Sequence, residues 1–102
     1  MKSKRTKATE IPKKVKLVVW ERDLHCCIFC GRPVTWYYAC AHIIPRSAGG
    51  LGIEQNIVTA CFDCHRQMDQ TIKRNKMISY AKQYLEQQYG KIDWNKNKYK
   101  KV

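Results

Sequence analysis

Val15, Val18, Val19 and Arg22 fall at i, i+3, i+4 and i+7, a spacing that gathers side chains on one helical face and predicts a short helix over residues 13–22. Pro12 suits its opening turn, where a missing N–H costs nothing. The periodicity stops at residues 24–33, LHCCIFCGRP, where Gly31 and Pro33 follow a C-x-x-C pair and predict a tight knuckle. Residues 35–44, TWYYACAHII, are aromatic, β-favouring or small and apolar, and run into Pro45. They predict a strand that sends Tyr38, Cys40 and His42 to one face and Tyr37, Ala39, Ala41 and Ile43 to the other. Residues 45–55 contain Gly49, Gly50 and Gly52 and read as a loop, and NIVTA at 56–60 predicts a second strand, so the pair forms a hairpin with a long loop. From Phe62 the period is helical again, with a break around Asp69 to Asn75 and a second helix near Lys76 to Tyr89. Met77, Ala81, Tyr84, Leu85 and Gln88 give that helix a largely apolar stripe that reads as core packing, and Gly90 reads as its stop.

These elements predict one small α+β domain. With 102 residues the chain is near the size at which a hydrophobic core alone gives marginal stability, so its six cysteines, Cys26, Cys27, Cys30, Cys40, Cys61 and Cys64, suggest a staple. The opening MKSKRTKATEIPKK is basic and polar, unlike a secretory leader, which favours a metal over disulfides. No run approaches the roughly 18 to 20 apolar residues that span a bilayer, so no membrane association is expected.

Cys27-x2-Cys30 and, after thirty residues, Cys61-x2-Cys64 have the spacing of a four-cysteine structural zinc site. Each turn brings two sulfurs to one side, and together they complete four Zn–S bonds of about 2.3 Å. Without the metal the chain is expected to be largely unfolded. Cys26 competes with Cys27, but at a less usual C-x3-C spacing. Cys40 has no such partner and reads as a small buried hydrophobe.

The 20 basic and 8 acidic residues give a formal charge of +12. Residues 1–16 carry seven Lys or Arg against Glu10, residues 91–102 carry five Lys against Asp93, and the stretch between is only +2. The expected organisation is a flexible basic arm at 1–11, a domain at 12–90 and a basic tail at 91–102. Such arms offer phosphate contacts and point to nucleic acid, with solvated tails as the plain alternative.

Between and around the zinc pairs lies AHIIPRSAGGLGIEQNIVTACFDCHRQMD, residues 41–69. It resembles the HNH endonuclease family, whose pattern is a histidine ending one strand, an asparagine opening the next and a histidine on the following helix: here His42, Asn56 and His65. The cysteine pairs, Ile44-Pro45, the Gly-rich loop and the preceding basic helix share in the resemblance, which covers roughly residues 12–70 and looks closest to short bacteriophage HNH proteins.

The resemblance implies a zinc-stapled ββα-metal (His-Me finger) fold with flanking helices and a metal-dependent endonuclease acting on double-stranded DNA. In that reading His42 is the general base, since an imidazole with a pKa near 6.5 accepts a proton from water at neutral pH. Asn56 holds the loop of the hairpin with both donor and acceptor atoms, and His65 binds one divalent ion. One position departs from the family. Where many members carry an Asp or another ligand just before the base, this chain has Ala41. Asp69, a helical turn beyond His65, could supply the carboxylate; otherwise the site leans on water and phosphate oxygens, on Mn2+, Ni2+ or Zn2+ instead of Mg2+, or is degenerate.

Arg46 is expected to touch a phosphate near His42, and Arg66, Lys73 and Arg74 to follow the backbone. No base-reading motif is present, so low sequence specificity and nicking by a monomer are expected. The phage likeness implies a bacterial or phage-infected host cytoplasm and, as partners, terminase or other packaging proteins. The rival readings are a catalytically silent zinc-stabilised DNA-binding module and a zinc ribbon that binds protein and no DNA.

Overall fold

The computed structural model describes residues 2–70 and 72–100. Six elements carry the fold: α1 (Lys4–Thr9), α2 (Lys13–Arg22), β1 (Ala41–His42), β2 (Ile57–Val58), α3 (Phe62–Gln70) and α4 (Arg74–Tyr89). β1 and β2 pair antiparallel, Ala41 opposite Val58 and His42 opposite Ile57, and with α3 they form a ββα unit within a small α+β domain. None of the helices described is long and apolar enough to cross a membrane.

Helix α2 has the expected limits, with Pro12 in extended conformation at its N-cap. Val19 is fully buried while Val18 remains 47 % exposed, so the apolar face is narrower than the spacing implies. α4 begins two residues before the expected start, and its chain leaves through Gly90 at φ +81°, a left-handed turn that favours glycine. The expected ten-residue strand is cut to two residues. With so short a partner strand, residues 36–38 have few ladder partners. They form a 3-10 turn in which Tyr38 N–H donates to Thr35 O at 3.1 Å and Ala39 N–H to Trp36 O at 3.0 Å. The alternation survives beyond the turn: Ala39, Ala41 and Ile43 are buried, Cys40 and His42 are half-buried, and Tyr37 is turned out to solvent.

The hairpin has a core on each side. Ala41, Ile43, Val58, Ala60 and Met68 pack with Ala81 and Leu85 of α4, and the buried Cys27 and Cys61 are part of the same cluster. Val19 of α2 closes a second, smaller cluster over Ala39 and Ile57. A polar network joins the two. The Arg22 guanidinium clasps Asp23 through Nε at 2.7 Å and Nη2 at 3.1 Å, and donates to the carbonyls of Glu54 and Ile57 at 2.8 Å each. The buried Asp23 carboxylate accepts from Thr59 N–H at 2.8 Å and Tyr84 O–H at 2.6 Å. Arg22 therefore occupies a core position as a hydrogen-bonding hub. Removing one partner of a buried pair leaves the other charge uncompensated, so Asp23→Ala is expected to lower unfolding free energy by about 3–5 kcal/mol, read from urea denaturation. A loss under about 1 kcal/mol, the level of an exposed pair, would contradict the role given to it.

Both chain ends depart from expectation. Residues 1–11, expected as a flexible arm, contain α1, capped by Ser3 Oγ accepting from Thr6 N–H at 3.1 Å. The helix is docked on the Gly-rich loop: Gly52 N–H donates to Ala8 O at 3.0 Å, and Arg5 Nη2 to Ser47 O at 2.8 Å and Arg46 O at 3.1 Å. A Cβ at Gly52 would stand 1.7 Å from Glu10 O, so only glycine permits this approach. The expected tail docks on the same loop, with Leu51 N–H donating to Asn97 O at 2.9 Å and Tyr99 N–H to Gly49 O at 2.7 Å. The loop's backbone donors need acceptors, and the two ends supply them.

Candidate metal centre and active-site groove

The first cysteine pair sits in a knuckle closed by Cys27 N–H to Arg32 O at 2.8 Å and Gly31 N–H to Cys27 O at 2.9 Å, with Gly31 at φ +78°. Ile28 N–H fastens it to Thr59 O at 3.0 Å, beside β2. The second pair flanks the start of α3, where Cys64 N–H points at Cys61 Sγ, 3.4 Å away. The Sγ atoms of Cys27, Cys30, Cys61 and Cys64 all lie within 4.8 Å of one another, Cys30 and Cys61 being 3.7 Å apart. Tetrahedral Zn–S bonds set neighbouring sulfurs about 3.8 Å apart, so the cluster fits a structural zinc site. Burial, and then the adjacent Cys61, Cys27 and Cys30 sulfurs, push the Cys64 thiol up; a divalent cation relieves that crowding by compensating the thiolates. Cys26 and Cys40 lie outside the cluster. Cys40 is half-buried on a groove wall, not an enclosed core residue as expected.

That groove, of about 710 Å³, is walled by His42, Arg46, His65 and Asp69 together with Lys7 and Lys16. His42 enters from β1. Its Nε2 lies 2.9 Å from Thr9 O; a carbonyl can only accept, so in the neutral ring Nε2 carries the proton and Nδ1 is the acceptor nitrogen. Burial holds the His42 imidazole below its usual 6.5 against the favourable Thr9 carbonyl, and the charges of Arg46 and His65 press the same way as burial.

His65 enters from α3. Its Nε2 is 3.5 Å from Oδ2 of Asp69, one turn on. Ligands meeting at right angles on a cation about 2.1 Å away are about 3 Å apart, and further at wider angles, so this nitrogen and oxygen fit a shared divalent ion. Ala41 offers no ligand atom and is fully buried in the main core. Among the described residues, the four thiols form the one group of three or more close potential metal ligands.

Asn56 is wholly buried. Its Oδ1 accepts from Ile44 N–H at 2.9 Å, and its Nδ2 donates to Leu51 O at 2.9 Å and Ile44 O at 3.2 Å. The side chain thus spans the loop from the end of one strand to the start of the next. In Asn56→Asp a carboxylate oxygen would face those two carbonyls without a proton to give. The variant is expected to lose about 2–4 kcal/mol, several times a typical neutral hydrogen bond, measured as a lowered midpoint of denaturation; an unchanged midpoint would contradict this loop-holding account.

The remaining candidates are not all in the groove. Arg46 is on its wall, with Nε 3.4 Å from Thr9 Oγ1. Arg66, Lys73 and Arg74 are not among its lining residues. Arg66 leans on the Phe62 ring, 6.0 Å from its centroid, and Arg74 donates to Met68 O at 3.3 Å and lies 3.9 Å from Asp69, closing the end of α3. Sequence reasoning missed Lys7, Glu10 and Lys16 as groove residues. Lys16 lies on the polar side of α2, which periodicity leaves unassigned, and Lys7 and Glu10 reach the groove only because α1 folds back.

No curated protein and no solved structure matches the chain. Residues 27–70 match the family model described as HNH endonuclease. That stretch runs from the first thiol of the metal cluster to the end of α3 and holds His42, Asn56 and His65, so over residues 27–70 the chain carries an HNH endonuclease domain.

Proposed function

We propose that the protein is a divalent-cation-dependent endonuclease that hydrolyses phosphodiester bonds of double-stranded DNA. The observation that carries this reading is the meeting, in one basic groove, of a half-buried imidazole and a histidine–carboxylate pair. His42 takes the proton of the attacking water on Nδ1 while Thr9 O holds the opposite nitrogen. Asn56 keeps the loop, and with it Arg46, in place; Arg46, Lys7 and Lys16 bind the phosphates flanking the cut. His65 and Asp69 would hold the catalytic ion, whose chemistry is to neutralise charge on the phosphate and on the leaving oxygen. The thiol cluster holds zinc and keeps the ββα unit folded.

One centre serves one strand, so a monomer nicks, with little sequence preference because the groove is basic and presents no paired base-reading side chains. The motif's likeness to short bacteriophage proteins adds a setting, genome packaging with a terminase in the infected bacterial cytoplasm. A second reading, a silent zinc-stabilised DNA-binding module, draws on one observation: Ala41 offers the cation no ligand atom, which leaves His65 and Asp69 as its candidate side-chain ligands among the described residues.

The two readings separate on the histidine–carboxylate pair. With supercoiled plasmid as substrate and Mg2+, Mn2+ or Ni2+ titrated in, Asp69→Asn is expected to raise the ion concentration for half-maximal cleavage by about tenfold or more, and His65→Ala to abolish cleavage. Identical ion titrations for wild type and both variants would overturn the assignment.

A further inference from the structure

Beside the groove lies a second surface that the hydrolytic chemistry does not use. The 3-10 turn Trp36–Tyr38 presents three aromatic rings in succession, Trp36 and Tyr37 with centroids 6.3 Å apart and Tyr37 and Tyr38 5.9 Å apart, both edge to face. Tyr37 is 61 % exposed, although the predicted strand sets it on the same face as Ala39, Ala41 and Ile43, which are buried. Two lysines of α2 accompany the rings: Lys13 Nζ is 5.1 Å from the Trp36 centroid, and Lys16 Nζ is 4.7 Å from that of Tyr37 and 5.9 Å from that of Trp36. Lys16 also walls the groove that holds His42. Platform and groove are therefore continuous through one ammonium group.

The turn is held rigid from both sides. Ala60 N–H donates to Tyr38 O at 3.1 Å, Trp20 Nε1–H to Val34 O at 2.8 Å, and Ala39 is locked beneath it against Val19 and Ile57. A large exposed ring on a fixed backbone loses little freedom when something stacks on it. Exposed aromatics interleaved with cations are the chemistry of single-stranded nucleic acid binding, in which rings take base faces and ammonium groups take phosphates. Within a duplex the base faces are covered by stacking; in an unpaired strand they are open.

We propose that Trp36 and Tyr37, with Lys13 and Lys16, bind unpaired nucleotides next to the scissile phosphate, so that the preferred substrate is DNA with a single-stranded extension, flap or gap beside the cut. This inference rests on the nuclease reading for its scissile phosphate and on the platform alone for its strand preference.

The test is fluorescence-anisotropy binding by zinc-loaded protein in the His42→Ala background, which prevents cutting, using a blunt duplex and the same duplex with a single-stranded thymidine extension. The extended duplex is expected to bind about tenfold more tightly, the worth of roughly one stacked base. Tyr37→Ala removes that preference and leaves blunt-duplex affinity as it was; Tyr37→Phe, which keeps the ring, retains it. Lys13→Gln with Lys16→Gln weakens binding to the extended duplex and flattens its dependence on salt. Equal affinity for the two DNAs, or a Tyr37→Ala loss of the same size on both, would overturn the proposal. Plasmid cleavage by the protein with His42 intact reports separately on the nuclease reading: preference without cleavage retains the platform and removes the enzyme, and cleavage without preference does the reverse.

Discussion

Stripping zinc from the protein is expected to unfold it, with loss of the far-ultraviolet helical signal and of any cooperative melt. Two of the four thiols, Cys27 and Cys61, are at once candidate ligands and members of the main core, so the metal centre and the hydrophobic core are one structure. Knuckle and helix start are 31 residues apart in sequence at Cys30 and Cys61, and a shared ion would tie them together. Structural zinc sites of this type carry on the order of 10–16 kcal/mol of apparent binding energy, comparable with or larger than the 5–15 kcal/mol by which domains are stable. Cys61→Ser should reproduce the effect of chelation, whereas Cys26→Ser, outside the cluster, should melt within a few degrees of wild type. An apo protein with the same melting midpoint as the zinc-loaded one would contradict the role of the cluster.

The second large effect falls on rate. Loss of a general base costs about 10²–10⁴-fold, so His42→Ala is expected to reduce cleavage by that factor while DNA affinity changes by about twofold or less, because the phosphate-binding cations remain. The wild-type pH profile adds a sign. Burial depresses the His42 pKa, and a general base works in its neutral form, so the midpoint of the acid limb of kcat/KM should lie below 6.5. The same shift makes the folded state penalise protonation, and the stability this group contributes is present above 6.5 and lost as pH falls through its folded pKa. An acid limb above 6.5, or one unchanged in position in His42→Ala, would argue that another group is titrating.

The fold was legible where side-chain pattern decides structure. Valine spacing marked α2, the apolar stripe marked the second long helix with Ala81 and Leu85 fully buried, and the two C-x-x-C pairs marked the knuckle and the start of α3. Where backbone decides structure, pattern was silent. Nothing apolar in KRTKAT announces that α1 docks; it is held by a carbonyl at Ala8, an Arg5 fork and the room left by Gly52. The C-terminal segment is held in the same manner at Gly49 and Leu51.

Arg22 was legible as a member of the valine face of α2 and illegible as a hub, since its partners Asp23, Glu54, Ile57 and Tyr89 come together only in three dimensions. Motif order led to His42 and His65, which line the groove, and to Asn56, which is buried and bonded to the loop backbone, and helical period led from His65 to Asp69. Charge alone was a coarser guide. It set Lys7 and Lys16 in a basic segment that offers phosphate contacts without placing them on this groove, and it singled out Arg66, Lys73 and Arg74, which do not line it, because position depends on how α1 and α2 pack and not on the number of cations.

Whether this groove cuts DNA is read directly from conversion of supercoiled plasmid by zinc-loaded protein with Mg2+, Mn2+ and Ni2+ in turn, with His42→Ala as the folded control. Open circles that accumulate before any linear product, only with added ion and only with His42 present, are the predicted result. Tight, salt-sensitive binding of the plasmid with no cleavage under any ion would contradict it and leave the protein a zinc-stabilised DNA-binding module.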